Sequence, residues 1–295
     1  MRLDRTLSLC LVRPLLATGI VSAKRALPIL MYHSISDTVE PGSSPYYKTN
    51  TSPARFEQQM RWLTEAGFRS VDLEEGLRLA QQGVEKQKKI VVITFDDGFR
   101  DFYDSAFLVL KQYGHTATVF LPTVFLGDER QSFNNKACLT WREVRELRAA
   151  GIRFGSHTAS HPVLYKQSWL QIKNELATSK ESLEQALGEK ITGFAYPYAF
   201  PQHDRQFVEP FQVLLQQLGY QSCATTVIGR VQAGDNPFCL KRLPVNDDDD
   251  QALLLAKLNG AYDWLAYPQS WFKQARHRLG FAFRRGADMH PMAQV

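Results

Sequence analysis

Short apolar runs recur along the chain, and segments with helical spacing of apolar residues lie between most of them. Each run is four to six residues long, which is typical of buried strands. Seven runs of this kind are Pro28–Tyr32, Phe68–Val71, Ile90–Phe95, Thr116–Leu121, Ile152–Gly155, Gly193–Tyr196 and Tyr220–Thr225. The alternation of strands with helices predicts a parallel sheet, and seven units fit a distorted (β/α) barrel.

Capping residues mark several of the intervening helices. Ser52 and Pro53 predict a helix start, and Thr140 with Glu143 forms a capping box before another helix. The longest helix is predicted from about residue 168 to residue 187. The two longest loops, 34–50 and 122–139, are candidates for the walls of a substrate groove.

Two pairs of chemically capable side chains follow two of the predicted strands. Asp96 and Asp97 come directly after the third strand, and His157 and His161 follow the fifth. Imidazoles four residues apart on a helical turn share a face, so both can reach one divalent metal. One carboxylate could complete a site of two histidines and one acid, and the other could act as a base.

The same residues also have a structural interpretation. Paired acids often lie in solvated turns or cap helices, and a pair of histidines four residues apart is common by chance. Both pairs here follow strand-like segments, however, and α/β enzymes place their chemistry at the carboxyl ends of parallel strands. The pattern therefore favours a metal-dependent hydrolase.

The strings TFDDG and SHTASH resemble the first two motifs of the polysaccharide deacetylase (NodB-homology) family of metal-dependent carbohydrate N-deacetylases. The likeness runs from the string ILMYH at residue 29 to the string LKRLPV ending at residue 245. It implies a distorted (β/α)7 barrel of the NodB-homology type. It also implies that Asp96 is the general base, and that Asp97, His157 and His161 bind a metal, usually zinc.

The third family motif, usually Arg-x-Pro-Tyr-Gly, is only partly kept in the segment from Ala195 to Ala199. Pro197 and Tyr198 match, which implies that the backbone N–H of Tyr198 is the oxyanion donor and that Pro197 contacts substrate. Ala195 replaces the arginine that typically orients the base. This departure puts the tuning of Asp96 in question, but it does not affect the metal site.

The last family motif departs further, because Arg242 stands where a catalytic histidine is usual. Arginine is a poor proton donor, so Arg242 could instead bind a substrate anion or pair with Asp96. Some relatives, including those that act on poly-N-acetylglucosamine, share the Met-Tyr-His string that ends at His33. Since His33 ends the first predicted strand, we predict that it points into the site and replaces the missing acid.

Composition adds boundaries to this picture. Residues 1–25 and residues 268–295 each carry five basic side chains and one acidic one, within a net charge of +5. We therefore predict a basic N-terminal extension (1–26), a catalytic domain (27–245) and a helical, basic C-terminal tail (246–295). A slightly acidic body argues against nucleic-acid binding, whereas basic ends suggest peripheral contact with an anionic membrane.

Several other polar and aromatic residues are predicted to be structural. The four cysteines follow no paired spacing, which favours buried thiols. The run from Asp247 to Asp250 is expected to be a solvated helix start rather than a calcium site. Trp141 is expected to anchor the core. The remaining histidines are expected to be packing or solvated residues: His115, His203, His277 and His290.

The predicted function is hydrolysis of an N-acetyl amide on a glycan or glycolipid intermediate. Two alternatives stay open: a deformylase or amidase acting on a smaller amide, and a glycan-binding barrel without catalysis. The apolar stretch from Leu7 to Ile20 is interrupted by Arg13 and Pro14 and makes neither a convincing signal peptide nor a membrane span. The expected location is therefore the cytoplasm, with peripheral contact at the inner face of the membrane.

Overall fold

The computed structural model describes residues 3–18, 26–38, 48–82 and 89–266. The strands in these residues are β1 (Ile29–Tyr32), β2 (Ser34–Ile35), β3 (Asn50–Thr51), β4 (Phe68–Val71), β5 (Lys89–Phe95), β6 (Thr118–Leu121), β7 (Ser132–Phe133), β8 (Lys136–Ala137), β9 (Arg153–Ser156), β10 (Gly193–Ala195), β11 (Ser222–Ile228) and β12 (Leu240–Pro244). The α-helices are α1 (Leu3–Leu7), α2 (Arg13–Ala17), α3 (Pro53–Glu65), α4 (Leu73–Gln81), α5 (Phe107–Gln112), α6 (Trp141–Ala149), α7 (Trp169–Leu187), α8 (Arg205–Gln217) and α9 (Gln251–Leu258).

A closed ring of seven parallel strands forms the centre of the molecule. The order around the ring is β1, β5, β6, β9, β10, β11 and β12, and β12 pairs with β1 to close it. Residues on both faces of these strands are buried, as expected for parallel strands covered by helices. The predicted distorted (β/α)7 barrel is confirmed.

The set of seven strands differs from the predicted one by a single exchange. The predicted strand Phe68–Val71 exists as β4, but it pairs only with the first half of β5, where β6 does not reach. The ring is completed instead by β12, which was not predicted as a strand. Its five residues include Lys241 and Arg242, and these charges concealed its character in the sequence.

The helix signals in the sequence match the observed helices. Ser52 caps α3, with Pro53 at its first position, and the capping box of Thr140 and Glu143 opens α6. The longest helix is α7, and Ser168 caps it. Among the described residues, no helix is both long enough and apolar enough to cross a membrane.

The described parts of the two terminal segments pack against each other. Residues 3–17 form one helical segment, in which a π-helical turn joins α1 to α2. The Tyr262 hydroxyl donates to Asp4 Oδ2 (2.6 Å), and Trp264 Nε1 donates to Ser8 Oγ (3.0 Å). The basic end of the C-terminal tail, residues 267–295, lies outside the described residues, as do His277 and His290.

The four consecutive acids have four different partners, and only part of their prediction holds. Asp250 caps α9, as expected for a helix start. Asp247 Oδ1 accepts from the backbone and hydroxyl of Ser52, and Asp248 pairs with Lys48. The expectation of a solvated run is wrong for Asp249.

The Asp249 side chain has no exposed surface and pairs with Lys257, which is 2% exposed. Lys257 Nζ donates to both Asp249 carboxylate oxygens (2.9 Å each) and to the backbone oxygen of Pro244, at the end of β12 (2.6 Å). The pair therefore fastens α9 to the last barrel strand.

The remaining structural predictions have mixed outcomes. Cys138 and Cys223 are buried thiols, but Cys10 is exposed on the N-terminal helical segment, so the prediction of buried cysteines is wrong there. Trp141 is partly buried against the core. His115 packs between α3 and the barrel, where its Nε2 contacts Thr64 Oγ1 and Met60 O, and His203 is exposed.

The buried Asp249–Lys257 pair gives a stability prediction. Replacing Lys257 by Met should lower the free energy of unfolding by about 3–5 kcal/mol, because it leaves a carboxylate buried without its counter-charge. The matched control is Lys48→Met, which breaks the half-exposed pair with Asp248 and should cost less than about 1 kcal/mol. Urea denaturation followed by circular dichroism measures both, and equal losses in the two variants would contradict the prediction.

Candidate active site

The candidate residues are gathered at the carboxyl end of the barrel because they come after the ends of four of its parallel strands. His33 follows β1, and Asp96 and Asp97 follow β5. His157 directly follows β9, and Tyr198 lies in the turn after β10. Parallel strands bring their carboxyl ends to one edge, so residues far apart in sequence meet there.

Three side-chain atoms converge on one point: Asp97 Oδ1, His157 Nε2 and His161 Nε2. The two imidazole nitrogens are 3.2 Å apart, and they lie 3.6 Å and 3.3 Å from the carboxylate oxygen. Ligand atoms at ~2.0–2.2 Å from a tetrahedral ion are about 3.3–3.6 Å from one another. The triangle therefore has the size that a tetrahedral metal ion requires.

The two histidines are oriented in different ways. His157 Nδ1 lies 2.7 Å from the backbone oxygen of Ala195. Because a carbonyl only accepts, Nδ1 carries the proton and Nε2 presents its lone pair to the metal position. His161 Nδ1 is buried without a partner among the described residues. Its ring is held instead between the rings of Phe133 and Tyr198, at centroid distances of 4.9 and 4.7 Å.

Left-handed backbone conformations are concentrated at this site. Asp97, Thr158, His161 and Tyr198 have φ between 58° and 73°, although none is glycine. Such residues cost of order 1–3 kcal/mol each and persist only when surrounding contacts enforce them. Gly98 continues the turn after Asp97 with φ 62°, and a Cβ there would come within 2.6 Å of Leu121. The string TFDDG thus ends in a turn that needs glycine.

Asp96 is held by a buried bidentate ion pair with Arg242. The two guanidinium nitrogens donate to the two carboxylate oxygens at 2.7 Å each, and neither side chain is more than 3% exposed. Arg242 also donates to the backbone oxygen of Thr225 (3.0 Å) and to Thr94 Oγ1 (3.2 Å). Of the two roles considered for Arg242, the pair with Asp96 is the one observed. A guanidinium with no exposed surface offers no face to a substrate anion.

These contacts set the protonation of the two acids. Burial by itself raises the pKa of Asp96, but the Arg242 guanidinium and then His157 outweigh it and lower the pKa below its usual range. Burial is likewise outweighed at Asp97, where His157 and His161 hold the pKa well below its usual range. Both carboxylates are therefore ionised at neutral pH, as a metal ligand and a proton acceptor must be.

The pKa values of the two histidines shift in opposite directions. Burial lowers the pKa of His161, and the opposing effect of Asp97 is too weak to reverse it. Burial also acts on His157, but the Asp97 and Asp96 carboxylates outweigh it and raise the pKa. Protonation of His157 would compete with a metal for its Nε2.

His33 lies in the site, as expected, with Nε2 3.9 Å from Asp96 Oδ2 and its side chain 22% exposed. The separation is too short for a substrate atom to lie between the two groups. His33 and Asp96 are therefore direct neighbours at the carboxyl end of the barrel.

The turn after β10 places Pro197 and Tyr198 differently. Tyr198 is 51% exposed and packs against the His161 ring. Its backbone N–H has no acceptor among the described residues, so it is free to donate to a substrate oxygen. Pro197 is buried, which leaves it little surface for the predicted substrate contact.

An aromatic cluster beside the proposed metal position, formed by Phe125 and Phe133, was not predicted from the sequence. Phe133, in the β7–β8 hairpin, packs on His161 and is itself stacked on Phe125 at 4.5 Å. The hairpin lies in the loop 122–139, which was predicted only as a possible groove wall. A single sequence gives no signal for Phe133, because no motif or periodicity marks its loop position.

Comparison with known proteins shows the family of this chain. A family model described as polysaccharide deacetylase matches residues 83–222. The Bacillus subtilis protein YxkH, whose name assigns it to the polysaccharide deacetylases, is 32% identical over 220 residues, or 75% of this chain and 71% of that protein. The chain belongs to the polysaccharide deacetylase family.

Other deacetylases of the family resemble the chain over most of its length. A Staphylococcus aureus poly-β-1,6-N-acetyl-D-glucosamine N-deacetylase is 26% identical over 214 residues, covering 70% of this chain and 71% of that protein. The Streptococcus pyogenes deacetylase PplD, solved in complex with acetate, matches with a TM-score of 0.69 and 27% identity, covering 80% of this chain and 99% of that structure. The structure of IcaB from Ammonifex degensii matches with a TM-score of 0.64 and 25% identity, covering 79% of this chain and 97% of that structure.

The geometry predicts which residues control metal content. Replacing Asp97, His157 or His161 by Ala should abolish stoichiometric binding of added Zn²⁺, because each change removes one corner of the ligand triangle. Asp96→Asn should keep it, since Asp96 pairs with Arg242 instead of joining the triangle. Titration calorimetry on chelator-treated protein measures this, and full binding by the Asp97 variant would contradict the assignment.

Proposed function

We propose that this deacetylase is a metal-dependent N-deacetylase that removes acetyl groups from an N-acetylated glycan or glycolipid intermediate. Asp97, His157 and His161 hold the metal, with Zn²⁺ as the resident ion, and Asp96 is the general base. The observation that carries the proposal is the ligand triangle of tetrahedral size with a second, separately held carboxylate beside it. Two nitrogens and one oxygen form a donor set that suits catalytic zinc.

The bound metal would supply Lewis acidity and lower the pKa of a water molecule. The chain's own residues do the rest of the work. Asp96 accepts the proton of the attacking water as the oxygen adds to the amide carbonyl carbon. Two guanidinium bonds leave acceptor capacity on its oxygens, since an ionised carboxylate offers about four lone-pair sites. Arg242 keeps Asp96 ionised and fixes its direction.

Two further groups complete the hydrolysis. The backbone N–H of Tyr198 donates to the oxygen that becomes negative as the carbonyl is attacked. The carbon–nitrogen bond then breaks, releasing acetate, and the leaving nitrogen must gain a proton to depart as an amine. His33 is the proposed donor, because it lies beside the site and Arg242, in the position of the usual family acid, cannot readily give up a proton.

The test of the function is acetate release from a panel of N-acetylated glycans of different linkage and length, with and without added zinc, cobalt or nickel. Asp96→Asn should keep metal and lose about 10²–10⁴-fold in turnover, the usual contribution of general-base catalysis. Small N-formyl and N-acetyl amides belong in the same panel. Hydrolysis of those alone would support an amidase instead, and inactivity of the metal-loaded protein on every member would support a binding barrel.

A separate prediction concerns His33. His33→Ala should lower kcat by about 10²–10⁴-fold, as expected for loss of a general acid, while metal affinity changes little. The matched control is His203→Ala, because His203 is an exposed histidine in the loop after the third motif and should be neutral. If the two variants retain similar kcat, the leaving nitrogen gains its proton from another group. Asp96 could then deliver the proton that it first took from the attacking water.

We also propose that the protein works in the cytoplasm and rests on the inner face of the membrane. Leu3, Leu7 and Leu11 recur every four residues of the N-terminal helical segment and are 68%, 41% and 55% exposed. The neighbouring Arg13 is also exposed, and both ends of the chain are rich in basic residues. An apolar stripe beside cationic side chains suits an anionic bilayer surface.

Vesicle co-sedimentation measures this contact. The protein should bind vesicles containing anionic lipid more than neutral ones, and salt should weaken the binding. A Leu7→Gln and Leu11→Gln double variant should bind less, whereas Leu108→Gln, at a leucine 60% exposed on α5, should not. Equal binding by all three proteins would contradict the proposed surface, and recovery from the periplasm on cell fractionation would contradict the location.

A further inference from the structure

The loop that carries both candidate histidine ligands is short and strained. It runs from His157 to His161, and both Thr158 (φ 69°) and His161 (φ 58°) have left-handed backbone conformations. His161 lacks a hydrogen-bond partner on Nδ1, so its ring has no polar contact with the described residues on the side away from the triangle. Apart from the ring contacts with Phe133 and Tyr198, the position of His161 Nε2 therefore depends on how firmly the backbone of this loop is held.

One residue of α7 makes three hydrogen bonds to the middle of the loop. Glu175 Oε2 accepts from the backbone N–H of Ser160 (2.8 Å), and Oε1 accepts from the Ser160 hydroxyl (2.6 Å). The backbone oxygen of Glu175 accepts from the N–H of Ala159 (3.1 Å). Both oxygens of the carboxylate thus accept hydrogen bonds from Ser160, the residue directly before His161.

Other hydrogen bonds to the loop come from the backbone of residues 123 and 124 and from a side chain of the loop itself. The backbone N–H groups of Thr123 and Val124 donate to the oxygens of Thr158 and Ala159 at 3.3 and 2.9 Å. Thr158 Oγ1 accepts from the N–H of His161 at 3.0 Å. Of these contacts, only the two bonds of the Glu175 carboxylate use a charged side chain, and hydrogen bonds to charged groups are stronger than neutral ones.

We propose that Glu175 is a positioning residue for the metal centre. It holds Ser160 so that His161 Nε2 stays within ligand distance of the position shared by His157 and Asp97. Glu175 forms no ion pair with a described residue, so its carboxylate serves the loop alone. The inference rests on the metal site of the proposed function and adds a residue that no motif of the chain contains.

The test measures metal affinity on chelator-treated full-length protein with Zn²⁺ and, separately, with Co²⁺, whose absorption spectrum reports coordination. Glu175→Ala should weaken affinity about 10–100-fold, the usual effect of losing a residue that orients a metal ligand. At saturating metal, kcat should return to within a few-fold of the unaltered protein. Glu181→Ala is the matched control, because Glu181 is an exposed acid on the same helix.

Two milder variants keep the inference testable if Glu175→Ala does not fold. Glu175→Gln can still accept from the Ser160 N–H and donate to its hydroxyl, so it should restore most of the affinity. Ser160→Ala removes only the hydroxyl bond and should give an intermediate loss. Unchanged affinity in the Glu175 and Ser160 variants overturns the inference. Failure of the unaltered protein to bind metal would instead overturn the metal site of the proposed function.

Discussion

Burial of one guanidinium inside the barrel constrains much of the site. Arg242 has no exposed surface, so its charge requires a carboxylate and further acceptors close by. Asp96 meets the first need with both oxygens, and Thr225 on β11 and Thr94 on β5 meet the second. These contacts connect β12, β11 and β5, so the same ion pair links three strands of the ring and fixes the direction of the candidate base.

The second requirement of the site is that strained turns must be held in place. Each of the turns that carry Asp97, His161 and Tyr198 includes a residue in the left-handed region, and each is held by a different neighbour. The first turn lies against Leu121 at Gly98, where a Cβ would not fit, α7 holds the second, and the Thr226 hydroxyl donates to the backbone oxygen of Tyr198 in the third (3.0 Å). Strand ends alone would bring these residues to one edge, but the turns direct their side chains to a common point.

The sequence allowed the fold class and the grouping of Asp97, His157 and His161 to be predicted because both depend on local patterns. Apolar runs mark buried strands, and Asp97, His157 and His161 lie in short strings that follow them. The exchange of β4 for β12 could not be predicted, because Lys241 and Arg242 break the apolar pattern while Arg242 finds its acid partner 146 residues away. The burial of Asp249 could not be predicted either, because it depends on the ion pair with Lys257 in α9. Buried partners of this kind, whether 146 residues away as for Arg242 or eight as for Asp249, reverse the usual meaning of a charge in a sequence.

The pair of Asp96 and Arg242 has a consequence for how positions in this barrel depend on each other. The family pattern places an arginine for the base in the segment that here begins with Ala195, whereas this chain supplies one from β12. Both strands flank β11, and in this chain the charge beside Asp96 comes from position 242 and not from position 195. Alanine at position 195 is therefore no sign that the candidate base lacks a partner. The two positions must be compared together when intact sites are told from degenerate ones.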